Sequence, residues 1–232
     1  PGQTPRPGTL HPRRYMALWF PYLPTDRFRR ATPDPRSAGP DDVPLALVDR
    51  DRGGLQISAL NPAAAGNGLR LGMTLADARV WLPGLHVAET DPAADNRLLR
   101  GLAAACERYT PLVALDGRDG LHLDITGCAH LFGGEKALLK DAERRIMAEG
   151  FAVRAAIAPT PGAAFALSRT GKGRIVPEDD LTGALSGLPV HALRLVPESA
   201  ALLKRLGLKT IGQIAHAPRQ PFAARAGQHA ML

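Results

Sequence analysis

The residue types and spacings in this chain that could do chemistry gather in one short segment, Gly117-Arg118-Asp119-Gly120-Leu121-His122-Leu123-Asp124-Ile125-Thr126-Gly127. Carboxylates on a strand turn can share divalent metal ions. Asp119 and Asp124 are the two available here, but residues five apart on an extended strand point to opposite faces. Asp119 therefore stands alone, and its neighbour Gly120 has no side chain with which to hold a metal. A second cluster, His122, Cys128 and His130, is crowded onto one strand and turn with no partner cluster elsewhere. It reads as non-ligating, with Cys128 a small buried residue. Gly133-Gly134 precedes a helix but lacks the Lys-Ser/Thr of a phosphate loop, and reads as a turn. The acidic groups Asp41-Asp42 and Glu178-Asp179-Asp180 read as solvated or helix-capping loops.

The elements that must position Asp119 follow from periodicity. An apolar run over 15–20 predicts a buried strand, closed by Pro21 and Pro24, with Thr25 capping a helix that begins near Asp26. A proline-rich loop spans 32–44. Strands are expected over 45–49 and 55–60 around a turn at 51–54, and a helix over 74–81. The stretch 91–109 is helical, with Leu98, Leu99, Leu102 and Cys106 on one face. Strands 113–115 and 121–125 form a hairpin around a turn at 116–120. A helix over 135–149, a strand over 151–158 and a helix over 162–170 complete the pattern. The order suits an α+β fold, an antiparallel sheet backed by helices.

From Leu181 onward the character becomes helical. Leu202-Leu203-Lys204-Arg205-Leu206-Gly207-Leu208-Lys209-Thr210-Ile211-Gly212 spaces two helices around a glycine turn, as in half or more of a helix-hairpin-helix. In that motif turn amides and a helix N-terminus meet a phosphate. An ordinary helical hairpin with a glycine cap fits the same residues.

Composition bounds the rest. With 45% hydrophobic residues and no apolar run near the length of a bilayer span, the chain reads as soluble, with no membrane partner. Residues 1–13 read as a disordered, mildly basic leader without the apolar core of a secretory signal. Two cysteines are too few for a disulfide framework or a zinc site, so a reduced cytoplasmic compartment is expected. A formal charge of +7, carried mostly by arginine, favours a polyanionic partner.

Taken in order, these segments resemble the Y-family (translesion) DNA polymerases. Residues 117–126 are similar to the palm signature Ser-x-Asp-Glu-x-x-Leu-Asp-x-Thr, with the glutamate position occupied by Gly120. Leu18-Trp19-Phe20-Pro21-Tyr22-Leu23-Pro24-Thr25-Asp26-Arg27 stands where the active enzymes carry Asp-x-Asp-x-Phe-Phe/Tyr, and it resembles a polymerase-like group found in bacterial mutagenesis cassettes. The metal-site positions become Trp19 and Pro21, which cannot serve a hard cation. Where the family grips the incoming triphosphate with Tyr and Arg, Pro62 and Ala65 stand. Where it carries two lysines after the Ala-Pro pair, this chain has Pro161 and Phe165. Asp26 falls too late to substitute and reads as a capping or salt-bridging residue. Trp19 and Trp81 read as core or interface anchors, not base-stacking platforms.

The resemblance implies a palm over 14–25 and 89–177, small α/β fingers over 26–88, and a helical thumb over 178–232. The family's little finger and C-terminal region are missing, as in a fragment. It implies a protein without catalysis, metal or cofactor that binds primer-template DNA independently of sequence, with Lys204, Arg205, Gly207, Lys209 and Gly212 at the phosphates. Implied partners are a RecA-like accessory protein of the cassette, an error-prone replicative-type DNA polymerase, and the sliding clamp through the missing C-terminal part. Two other readings stay open: an active translesion polymerase with rearranged ligands, and a protein-interaction module using the degenerate cleft.

Overall fold

The computed structural model describes residues 12–31, 43–51, 54–171 and 175–215. Most of the expected leader, the proline-rich loop with Asp41-Asp42, and residues 216–232 of the expected thumb lie outside the described residues, as does the Lys204 side chain.

Strand β1 (Tyr15–Trp19) enters a four-stranded antiparallel sheet, and helix α1 (Leu23–Ala31) follows it. A second layer then forms from β2 (Leu45–Asp51), β3 (Gly54–Leu60), α2 (Pro62–Gly66), α3 (Leu75–Trp81) and β4 (His86–Glu89). Helix α4 (Pro92–Cys106) returns to the first sheet, which is completed by β5 (Val113–Asp116), β6 (Gly120–Asp124), α5 (Glu135–Ala148), β7 (Arg154–Ala158) and α6 (Pro161–Thr170). The chain continues into α7 (Leu181–Ser186), α8 (Pro197–Arg205) and α9 (Ile211–Ala215).

The larger sheet has the order β5-β6-β1-β7, with β1 antiparallel to both neighbours. The period of two along its strands sorts side chains onto two faces. Met16, Leu18, Leu121, Leu123, Ala155 and Ile157 point to one face and pack against Leu99, Leu102, Leu138, Leu139 and Ile146 of α4 and α5. Ala17, Ala156 and Ala158 point to the other, where α6 lies close on its own alanines, Ala163, Ala164 and Ala166. The smaller sheet, β3-β2-β4, pairs β2 antiparallel to β3 and parallel to β4, and one side packs on Ala64, Leu69 and Ala78. This is the α+β architecture the periodicity predicts.

Several local expectations are corrected. Helix α1 begins at Leu23, not near Asp26, because proline is tolerated in a first turn where amides lack intrahelical partners anyway. Thr25 does not cap it; its hydroxyl donates back to the Tyr22 carbonyl at 3.0 Å. Asp26 is buried and accepts from Arg29 at 2.7 Å and from the Ala152 amide at 2.9 Å. The short α2, capped by Asn61, and the short β4 lie in stretches too brief to show a period. Trp81 is 67% exposed, its Nε1 donating to the Asn67 carbonyl, so it is no core residue.

Candidate functional site

The hairpin β5-β6 brings its turn, Gly117 to Asp119, beside the end of β1, where Trp19 pairs with Gly120 on one side and Arg154 on the other. The Phe20 amide donates to the Asp119 carbonyl at 2.8 Å and fixes the strand end to the turn. A cleft of about 530 Å³ opens from this junction toward the smaller sheet, lined by Pro21, Tyr22, Ala65, Asn96, Arg118 and Asp119 among others.

Asp119 does not face the cleft as a free ligand. Trp19 Nε1 donates to its Oδ2 at 2.8 Å, and Arg169 Nη2 donates to its Oδ1 at 3.2 Å. Arg169 reaches from the last turn of α6 and also lies 3.6 Å from Oδ2 of Asp116. Asp116 is 6% exposed, and Arg194, beyond the 3-10 turn Val190–Ala192, donates to its Oδ1 at 2.7 Å. His122 Nε2 stands 2.6 Å from Arg194 Nη2 and 3.3 Å from Asp116 Oδ2, so the ring belongs to the same cluster. Phe165 is the plate beneath both cations, with the guanidinium carbons of Arg169 and Arg194 3.7 Å and 4.2 Å from its ring centroid. Arg154 and Arg169 similarly sit over Trp19, at 5.5 Å and 5.6 Å. Burial alone would raise the Asp116 carboxyl, but His122, Arg194 and Arg169 outweigh it and hold it below the usual carboxylate range. Burial lowers Arg169 against the pull of Asp119 and Asp116.

The magnesium pair that the family resemblance implies does not fit these residues. Indole and glycine offer no oxygen at Trp19 and Gly120, and a guanidinium lies against Asp119 where a cation would stand. The backbone is also tight around Gly120. A Cβ on Gly120 would come within 3.1 Å of the Asp116 carbonyl oxygen and 3.2 Å of its Cβ. Asp124 is structural, accepting from the Thr126 amide at 3.0 Å.

Of the other residues singled out in the sequence, Pro62 and Pro161 open α2 and α6, where a missing N–H costs nothing. Ala65 lines the cleft without a polar group. Among the described residues no group of three His, Cys, Asp or Glu could hold a metal; His122 is engaged with Arg194, and Cys128 is half-buried. In the helical segment, Arg205 and Lys209 are exposed and Gly207 takes a positive φ of 75° at the turn. Gly212 meets the Ser186 backbone so closely that a Cβ would lie 2.9 Å from its carbonyl oxygen. Gln213 Oε1 accepts from the Lys209 and Thr210 amides at 2.7 Å and 3.1 Å, capping α9 from within. Sequence reasoning missed Asp116, Arg154, Arg169 and Arg194. No period or motif marks them, since their meaning lies in a junction between segments far apart in the chain.

A profile of the impB/mucB/samB family matches residues 38–169. The chain is 48% identical over 166 residues to Protein ImuB of Caulobacter vibrioides, covering 71% of this chain and 36% of that protein. It is 31% identical over 188 residues to DNA polymerase IV of Ralstonia nicotianae, covering 78% of this chain and 51% of that one. The chain thus spans only part of the length of these relatives. The crystal structure of DinB from Sulfolobus solfataricus superposes with a TM-score of 0.76 at 15% identity, covering 94% of this chain and 64% of that one. The insertion ternary complex of Dbh DNA polymerase gives 0.77 at 14% identity, with the same coverage. Hairpin, two-sheet order and helical extension all accord with these matches: the chain belongs to the impB/mucB/samB family and has the fold of the Y-family DNA polymerases.

Proposed function

We propose that this chain is a non-catalytic Y-family polymerase-like protein that binds primer-template DNA and acts as a scaffold in SOS-type, damage-induced translesion synthesis in the cytoplasm. The observation that carries this reading is the state of Asp119, whose two carboxylate oxygens accept from Trp19 and Arg169 beside a glycine. In this reading the four-stranded sheet is the palm (14–25 and 89–177), the smaller sheet the fingers (26–88), and the helical segment the thumb (178–232). A net charge of +7 supports a polyanionic partner. Lys204, Arg205, Gly207, Lys209 and Gly212 are assigned to backbone phosphates, with the exposed Arg205 and Lys209 side chains carrying most of the contact because Gln213 already caps the nearby amides. The same reading assigns as partners a RecA-like accessory protein, an error-prone replicative-type polymerase and the sliding clamp, the last through sequence that this chain does not span.

The test is primer extension with magnesium or manganese on an undamaged template, run beside salt-titrated binding of fluorescent primed DNA. Binding that weakens with salt and no extension are expected. A second reading, an active polymerase, is favoured by the similarity to DNA polymerase IV. Extension abolished by Asp119→Ala would establish it and overturn the first. If Lys204→Ala, Arg205→Ala and Lys209→Ala together leave DNA binding unchanged, the thumb assignment falls.

A further inference from the structure

Four charged groups at the end of the larger sheet form a chain with two exposed ends and a buried middle. Asp119 lines the cleft with its side chain 44% exposed, and Arg194, between α7 and α8, is 51% exposed. Between them, Arg169 and Asp116 are 17% and 6% exposed. Arg169 is shared: its Nη2 donates to Asp119 Oδ1 at 3.2 Å and lies 3.6 Å from Asp116 Oδ2, beyond a hydrogen bond. Asp116 is shared in turn, since its other oxygen accepts from Arg194 at 2.7 Å. Among the described residues no hydrogen bond or ion pair joins Asp119 to Arg194 directly.

The middle of this chain has unused capacity. Arg169 Nη1 and Asp116 Oδ2 are both buried, and neither has a hydrogen-bond partner. A buried donor and a buried acceptor left open carry a cost that a bond between them would recover. Asp119 holds them apart by drawing Arg169 toward the cleft. When Asp119 lets go, Arg169 can close on Asp116 Oδ2. Two guanidiniums then crowd one carboxylate without the counter-charge of Asp119, and His122 Nε2 already stands 3.3 Å from the same oxygen. Burial first, and repulsion from Arg194 with it, already lower the Arg169 pKa. Arg194 is the group that can leave, because its half-exposed guanidinium reaches water easily while Arg169 is enclosed. Phe165 does not decide between them, since both guanidiniums lie over its ring.

We propose that Asp119, Arg169, Asp116 and Arg194 act as a relay in which neutralising Asp119 at the cleft loosens the hold of the β5-β6 hairpin on the segment around Arg194. Coupling of this kind needs an element with two arrangements whose balance both ends bias. Arg169, set between two carboxylates, is that element. By reciprocity, a partner that draws Arg194 away strengthens the pairing of Arg169 with Asp116 and releases Asp119 toward the cleft. The relay operates whether or not the chain binds DNA.

The experiment is hydrogen exchange of the whole chain at fixed pH and salt, read at the amides of Ala192 and Leu193, which donate to the Pro189 and Val190 carbonyls beside Arg194. Asp119→Asn keeps the side chain's shape and an oxygen for Trp19 while removing the charge, and is expected to speed their exchange about tenfold. Arg194→Gln is expected to do the same, and the double variant no more than either alone. Arg169→Gln is expected to leave Arg194 on Asp116 and exchange at the wild-type rate, and in that background Asp119→Asn is expected to change nothing. Leu139, within α5, should keep its exchange rate throughout. Unchanged exchange in Asp119→Asn, additive effects in the double variant, or faster exchange in Arg169→Gln alone overturns the proposal. So does an Asp119→Asn effect that survives Arg169→Gln, or one that appears equally at Leu139.

Discussion

The two faces of the four-stranded sheet have been shaped by different constraints. One face, Met16, Leu18, Leu121 and Leu123 against α4 and α5, is held by apolar burial, which is non-directional and tolerates any side chains that fill the volume. The other face packs its alanines on α6, and toward the hairpin turn it carries Trp19, Asp116 and His122 beneath Arg154, Arg169 and Arg194, joined by directional bonds to charged groups. The first would serve any protein with this fold. The second holds an internal bridge of guanidiniums, and that bridge ties Arg194, in the segment between α7 and α8, onto the β5-β6 hairpin. The counter-charge to Asp116 and Asp119 comes from the chain itself.

This contrast can be broken or sharpened by measurement. The largest effect is expected from Asp116→Ala, which strands Arg169 and Arg194 near each other without their buried carboxylate and should cost about 4 kcal/mol in denaturant unfolding. A loss below about 1 kcal/mol would mean the bridge is decoration. Leu123→Ala, on the apolar face, should cost about 3 kcal/mol without loosening the segment that carries Arg194. Limited proteolysis of the 177–195 stretch distinguishes the two variants, with faster cleavage expected in Asp116→Ala alone.

Acid should act on one face selectively. Asp116 is held below the ordinary carboxylate range, so its stabilisation is complete above its unfolded pKa of about 3.9 and is lost as pH falls through the lower folded value. The difference in melting temperature between wild type and Asp116→Asn should therefore be constant near neutrality and shrink below about pH 4. A gap that persists undiminished in acid would show that the carboxylate's charge is not what matters. The smallest effect is expected from Trp19→Phe, which removes one hydrogen bond to the partly exposed Asp119, about 1 kcal/mol by the same unfolding assay.

The same division decides what the sequence discloses. Strand β6 and helices α4 and α5 were legible because leucines recurring at two and at three to four residues report burial directly. That Trp19 and Gly120 offer no side-chain oxygen is legible as well. What surrounds them is not. Arg194 meets His122 from 72 positions away, and Arg169 is one helical arginine among many until α6 is laid on the sheet. Periodicity records a residue's face but not which distant residue it meets. The capping of α9 by Gln213 was hidden for a different reason, because Thr210-Ile211-Gly212-Gln213 was read for its glycine and not for its Thr-x-x-Gln pair.

Gly120 also bears on what a redesign of this junction would need. A side chain there must enter space beside the Asp116 carbonyl and Cβ, which would have to give by a few tenths of an ångström, and Asp116 is the carboxylate that Arg169 and Arg194 share. A glutamate at this position would press on that bridge, and Trp19 and Arg169 would still occupy the neighbouring Asp119. A second free carboxylate beside Asp119 calls for several changes made together.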